Sequence, residues 1–130
     1  MKRTNEVSKL AGVSRRTLQY YDDEGILVTE RSRNNHRLYD KEALEKIWEI
    51  MLYKEMGFGL KEIRQLLQAT DNKKKEYLRR KIEIVRGEIK KREEQIEFIS
   101  LILGHGIPQM PEESDGMTYV KSIEELRRGL

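Results

Sequence analysis

The sequence predicts a mainly α-helical protein with one small β-hairpin in its first third and a long amphipathic helix in its second half. Three observations carry this. Two short helical patterns meet at Gly12-Val13-Ser14, a glycine stop followed by a capping serine. Two β-prone pieces, Ile26-Leu27-Val28-Thr29 and Arg37-Leu38-Tyr39, flank the polar Asn34-Asn35. Finally, Leu78, Ile82, Val85, Ile89, Ile96, Ile99 and Leu103 recur in alternating steps of four and three, with a gap at Arg92.

Thr4 is the expected N-cap of the first helix, with Val7, Leu10 and Ala11 turned inward and Gly12 ending it. Ser14 caps the second, which faces Leu18 and Tyr21 inward and stops at Gly25. Two short helices joined by a glycine-containing turn make a helix-turn-helix candidate over about residues 4–24. The hairpin over about 26–39 would stand beside it as a wing with a basic tip. A third helix is expected from Asp40 as N-cap through Leu44, Ile47, Trp48, Met51 and Leu52 to Met56, closed by Gly57. Trp48 and Tyr53 are assigned to the core beneath it. A fourth helix follows Gly59, carries Leu60, Ile63, Leu66 and Leu67, and ends near Thr70-Asp71-Asn72.

The predicted organisation is a winged helix-turn-helix head over 1–71, a coiled-coil helix over 72–103 and a short tail over 104–130. A lone helix cannot bury so narrow an apolar stripe, so homodimerisation through it is expected, with packing back on the head as the alternative. Gly87 weakens that helix by about 1 kcal/mol relative to alanine, which packing must offset. Gly104-His105-Gly106 breaks the helix, and Pro108 and Pro111 follow. In the acidic tail, Met117–Val120 reads as extended, and Ser122 with Glu125 forms a capping box. The tail is a candidate effector region or a clasp on a partner subunit.

Charged residues make up 38% of the 130 and hydrophobic residues 37%, which suits a helical protein with wide solvated faces. Net charge is only +3, so its distribution matters more than its sum. Arg31, Arg33, His36 and Arg37 lie in an acid-free stretch, and from Val13 to Tyr21 the only charges are Arg15 and Arg16. The absence of cysteine excludes disulfides, thiolate metal sites and cysteine nucleophiles. No apolar run approaches the roughly 20 residues of a membrane span, and Met1–Asn5 lacks a signal-peptide core. A soluble, cytoplasmic protein is expected. His36 and His105 sit in no catalytic or metal-binding spacing, glycine-rich phosphate loops are missing, and Asp22-Asp23-Glu24 reads as a solvated run. Neither an enzyme nor a cofactor is expected.

Arg15 and Arg16 fall in the first turn of the second helix, with Thr17, Gln19 and Tyr20 beside or one turn beyond them. A major groove admits one helix, where arginine pairs with guanine and glutamine with adenine. The competing reading of these residues is an ordinary solvated face. Arg33, His36, Arg37 and Tyr39 on the hairpin would touch phosphates or the minor groove, and Lys54 would add a phosphate contact. For Tyr21 and Tyr39, burial in the core is the competing role.

Glu6-Val7, Leu10-Ala11-Gly12-Val13-Ser14, Arg16-Thr17-Leu18, Tyr20-Tyr21-Asp22, Gly25-Ile26-Leu27, Arg37-Leu38-Tyr39 and Gly57-Phe58-Gly59-Leu60-Lys61-Glu62-Ile63 together resemble the MerR-type bacterial transcription regulators. The resemblance covers roughly residues 3 to 69. It implies an antiparallel coiled-coil homodimer that binds near-palindromic double-stranded promoter DNA and bends and untwists it. RNA polymerase is then served indirectly, through the promoter, and a small-molecule effector is a possible further partner. It also implies that Arg16, Thr17, Gln19, Tyr20 and Tyr21 meet the major groove or its phosphates, Arg37 serves the wing and Lys54 the backbone. Gln19 departs from the arginine common there, so base preference is expected to differ. The lack of cysteine argues against the metal- and redox-sensing branches, and the tail is too short for the large drug-binding domains of other members. Two other readings stand at this point: a coiled-coil protein-interaction module, and an excisionase-like architectural DNA-binding protein.

Overall fold

The computed structural model describes residues 1–129. In chain order it contains β1 (Lys2–Arg3), α1 (Thr4–Ala11), α2 (Arg15–Asp23), β2 (Glu30–Arg31), β3 (Arg37–Tyr39), α3 (Lys41–Glu55), α4 (Leu60–Gln68), α5 (Asp71–His105), a 3-10 turn (Glu113–Asp115) and α6 (Tyr119–Arg128). Two compact units emerge, one from Met1 to Tyr77 and one from Leu78 onward.

In the first unit, local chemistry sets most boundaries. Gly12 takes a left-handed conformation (φ 73°) that ends α1, and Ser14 accepts the Thr17 amide at 3.0 Å to start α2. Asp40 does the same for α3, accepting the Ala43 amide at 2.8 Å. The expected Thr4 cap is displaced by one residue. Arg3 occupies the cap position, its amide donating to the Glu6 carboxylate at 3.2 Å, and Thr4 opens the helix.

Val7, Leu18, Tyr21, Ile47, Ile50, Ile63 and Leu66 form the core, each between 0% and 2% exposed. Leu10 and Trp48 lie outside it, both 65% exposed. Trp48 departs from its expected place because α3 turns Ala43, Ile47, Ile50 and Tyr53 inward. One residue past Ile47 is a rotation of about 100°, which carries the indole off that stripe. In α1, Val7 is buried and Ala11 half-buried one turn on, leaving Leu10 in solvent.

The wing is a three-stranded antiparallel sheet, in the order β1-β3-β2, and not a two-stranded hairpin. Lys2 pairs with Tyr39, and Glu30 with Leu38. Ile26 and Leu27 are buried but not in a strand, because both amides donate to the Tyr21 carbonyl (3.1 and 3.3 Å) and close the end of α2. At the tip, Asn35 adopts φ 62°, a left-handed conformation that asparagine tolerates.

α5 is 35 residues long, about 52 Å at 1.5 Å per residue. It starts at Asp71, with Thr70 accepting the Lys73 amide at 3.3 Å, and ends before Gly106 at φ 80°. None of its side chains is buried. Ile82, Val85, Ile89, Ile96, Ile99 and Leu103 are all exposed, and Leu78 is half-buried. In the tail, the expected extended piece and Ser122 cap are replaced by α6. Thr118 caps it one turn earlier, accepting the Lys121 amide at 3.1 Å. Among the described residues, no helix is long and apolar enough to cross a membrane.

Candidate nucleic-acid interface

The serine cap and the burial of Leu18 and Tyr21 fix which face of α2 looks outward. Arg15, Arg16, Gln19 and Tyr20 share that exposed face, at i, i+1, i+4 and i+5. Thr17 is half-buried and its hydroxyl lies 2.8 Å from the Ser14 hydroxyl, so it belongs to the cap. Tyr21 is in the core, with only its hydroxyl used, accepting from Lys54 Nζ at 3.1 Å. That ammonium also lies 5.6 Å from the Tyr21 ring centroid, within cation–π range.

Beside this face is a shallow cleft of about 610 Å³, lined among others by Arg16, Thr17, Tyr20, Lys54, Gly59 and Leu60. It joins the start of α2, the end of α3 and the amino-terminal end of α4. Two cations and a helix N-terminus facing one concavity favour an anion, and a phosphate of a nucleic-acid backbone matches that chemistry. The backbone at Gly59 and Leu60 was not among the sequence-derived site residues. The signal for it was present in Gly57-Phe58-Gly59, a glycine turn ahead of an apolar helix.

On the wing, Arg33 and His36 are exposed around the tip turn. Arg37 and Tyr39 are placed otherwise than expected. Tyr39 is completely buried, its hydroxyl accepting from Thr4 at 3.4 Å, so it supports the sheet and meets no ligand. Arg37 folds back onto α2, its Nε donating to Asp22 at 2.6 Å and Nη2 to Asp23 at 3.3 Å, with 16% of the side chain exposed. The hydrogen bond to Asp22 holds its pKa above the ordinary arginine value. Asp22-Asp23-Glu24 is accordingly no free solvated run. Glu24 is engaged as well, its carbonyl accepting from Arg64, whose guanidinium also lies 3.7 Å from the Glu24 carboxylate.

A second polar cluster joins α3 to the first turn of α5. Tyr53 donates to Glu49 at 2.5 Å and Lys74 donates to the same carboxylate oxygen at 2.7 Å. Burial pushes the Glu49 carboxyl up, but the hydrogen bonds from Lys74 and Tyr53 outweigh it and leave it below its usual value. Burial, and then the bond to Glu49, hold the Tyr53 phenol well above its usual value.

In the second unit, a cleft of about 690 Å³ is lined chiefly by Phe98, Ile102, Ile107, Met110, Ile123 and Leu126, with Tyr119, Ser122 and Glu125 at its polar edge. The expected dimer residues other than Leu78 form an exposed apolar stripe on α5.

A capped helix with exposed arginines, a wing and a cleft carrying two cations are the parts of a winged helix-turn-helix head, and the chain belongs to the MerR HTH regulatory protein family, whose description matches residues 2–70. It is similar to the HTH-type transcriptional activator TipA of Streptomyces coelicolor, 37% identical over 112 residues that are 83% of this chain and 44% of that protein. The chain thus spans less than half the length of that relative. Among solved structures it resembles MtaN, the N-terminus of the Bacillus subtilis multidrug transporter activator. The TM-score is 0.75 at 31% identity, covering 79% of this chain and 98% of that one. A MerR-family regulator from Bacillus cereus shares the fold over 98% of this chain and 93% of its own (TM-score 0.67, 21% identity).

Proposed function

We propose that this chain is a sequence-specific transcription regulator that binds a near-palindromic promoter operator as a homodimer and acts by bending and untwisting the DNA. The observation that carries this reading is the outward face of α2, where Arg15, Arg16, Gln19 and Tyr20 stand exposed on a helix anchored by Leu18 and Tyr21. Arginine and glutamine on one helical face are the side chains that read guanine and adenine edges in a major groove. Lys54 and the start of α4 supply the phosphate contact, and Arg33 and His36 the wing contact. Family membership and the names of TipA and MtaN, both activators, support the regulatory role.

Dimerisation is proposed through α5, whose exposed stripe needs a partner. Two heads held at a fixed distance match two half-sites and supply the grip needed to deform the duplex between them. No contact with RNA polymerase is required, since the reshaped promoter is itself the signal. The 690 Å³ cleft in the second unit lies in the size range of small-molecule sites and is our candidate effector site.

The test is selection of genomic fragments by the purified protein, followed by footprinting. The expected result is a near-palindrome lying in an unusually long promoter spacer. Arg15→Ala combined with Arg16→Ala should abolish selection. Unchanged affinity in that double variant would remove the DNA-reading role from α2.

A further inference from the structure

We propose that Asp22, Asp23 and Glu24 are positioning residues that hold the wing and α4 against the carboxyl end of α2 through Arg37 and Arg64, and so set where the wing meets DNA relative to the reading helix. This rests on the reading of α2 as the DNA-reading helix. Three successive acids at the carboxyl end of a helix face the negative end of its dipole, so that placement is unfavourable for the helix taken alone. Each of the three has an arginine partner from another element. Asp22 and Asp23 take two different nitrogens of the Arg37 fork, 2.6 and 3.3 Å away. Glu24 takes Arg64.

The two arginines arrive from distant parts of the chain, Arg37 from β3 and Arg64 from α4. The Asp22–Arg37 pair is largely out of solvent, at 19% and 16% side-chain exposure, so it is screened little by salt. A guanidinium fork has a fixed planar geometry, and engaging it at two nitrogens restricts both the distance and the direction of β3 from α2. The tip residues Arg33 and His36 are carried by that same strand pair. In this arrangement Arg37 contributes to binding by placing its neighbours, and its own charge is cancelled by carboxylates.

This separates it from a phosphate ligand by sign. Removing an acid beside a DNA-contacting arginine would strengthen binding, or leave it unchanged. Removing an acid that holds the wing in place weakens it.

The experiment uses the full chain and a duplex selected by the wild-type protein, with affinity measured across a range of KCl concentrations. Arg37→Ala and Asp22→Asn are each expected to weaken binding about tenfold. Their combination should be no weaker than either alone. The slope of log affinity against log salt should stay at the wild-type value in all three, whereas loss of one phosphate contact from each head of the dimer lowers it by about two. Reselection with Asp22→Asn should change preference at the flanking positions under the wing and keep the positions read by α2.

Tighter binding by Asp22→Asn, or a slope lower by about two in Arg37→Ala, would overturn the proposal. Arg64→Gln and Asp23→Asn repeat the test with milder changes, should the first variants lose their helical circular-dichroism signal. Unchanged affinity and preference in both of them would also overturn it. Failure of the wild-type protein to bind DNA at all would instead sink the reading of α2 itself.

Discussion

Truncating Ile89 to alanine measures what the α5 stripe contributes. Ile89 retains 53% of its surface in the single chain. Full burial of an isoleucine side chain is worth about 1.5–3 kcal/mol, so covering the exposed half contributes about 0.8–1.6 kcal/mol. A homodimer carries the change twice, which gives about 2–3 kcal/mol. At 1.4 kcal/mol per decade, the dimer dissociation constant should rise by about one to two orders of magnitude. Alanine is the best helix former, so α5 itself should not weaken. Sedimentation equilibrium over a concentration series reads the constant, and circular dichroism confirms that helix content is kept. Glu94→Ala, on the opposite side of the heptad, serves as the control and should leave association unchanged. A dimer constant for Ile89→Ala within threefold of the parent, at full helix content, would show that the stripe is not where two copies meet.

Ser14→Ala removes the side-chain acceptor of the Thr17 amide and should cost about 1 kcal/mol, read as a lowered thermal midpoint. Glu49 is a carboxylate held below its usual pKa. Its contribution to stability is therefore present above the unfolded value, near 4.5, and is lost as pH falls through the folded value. Denaturant titrations across the acid range should show Glu49→Gln with a shallower loss of stability than the parent. An identical acid limb in the two proteins would mean that the Lys74–Glu49–Tyr53 cluster does not stabilise the fold.

What was legible in the sequence was local. Ser14, Asp40 and Gly12 mark their boundaries because a cap and a left-handed turn depend on a few consecutive residues. The outward face of α2 follows from Leu18 and Tyr21 by periodicity alone. Long-range pairing was not legible. Arg37 looks like a DNA ligand in a basic stretch because nothing nearby in sequence reveals that Asp22 and Asp23 will stand beside it. Tyr39 and Trp48 exchange their expected places for a similar reason. Each is an aromatic at the edge of an apolar pattern, and only the packing of the finished head decides which one is covered. β1 has two residues and no apolar alternation, so its pairing with β3 leaves no pattern to read.

The engagement of Arg37 also alters the electrostatics of binding. With its charge cancelled, the exposed cations among the proposed DNA contacts are Arg15, Arg16, Lys54 and Arg33. Lys54 retains the ability to take a phosphate oxygen while it donates to Tyr21, because an ammonium has three donors. If each of the four neutralised one phosphate in both heads of a dimer, the slope of log affinity against log salt would be about −7. Any of them that reads a base edge in place of a phosphate makes the slope shallower, so this value is a ceiling in magnitude. A measured slope near −9 would require a further cation from each head. Arg31, exposed beside the wing tip, and Arg37 would then be tested in turn, and removal of the one responsible would have to lower the slope by about two in the dimer.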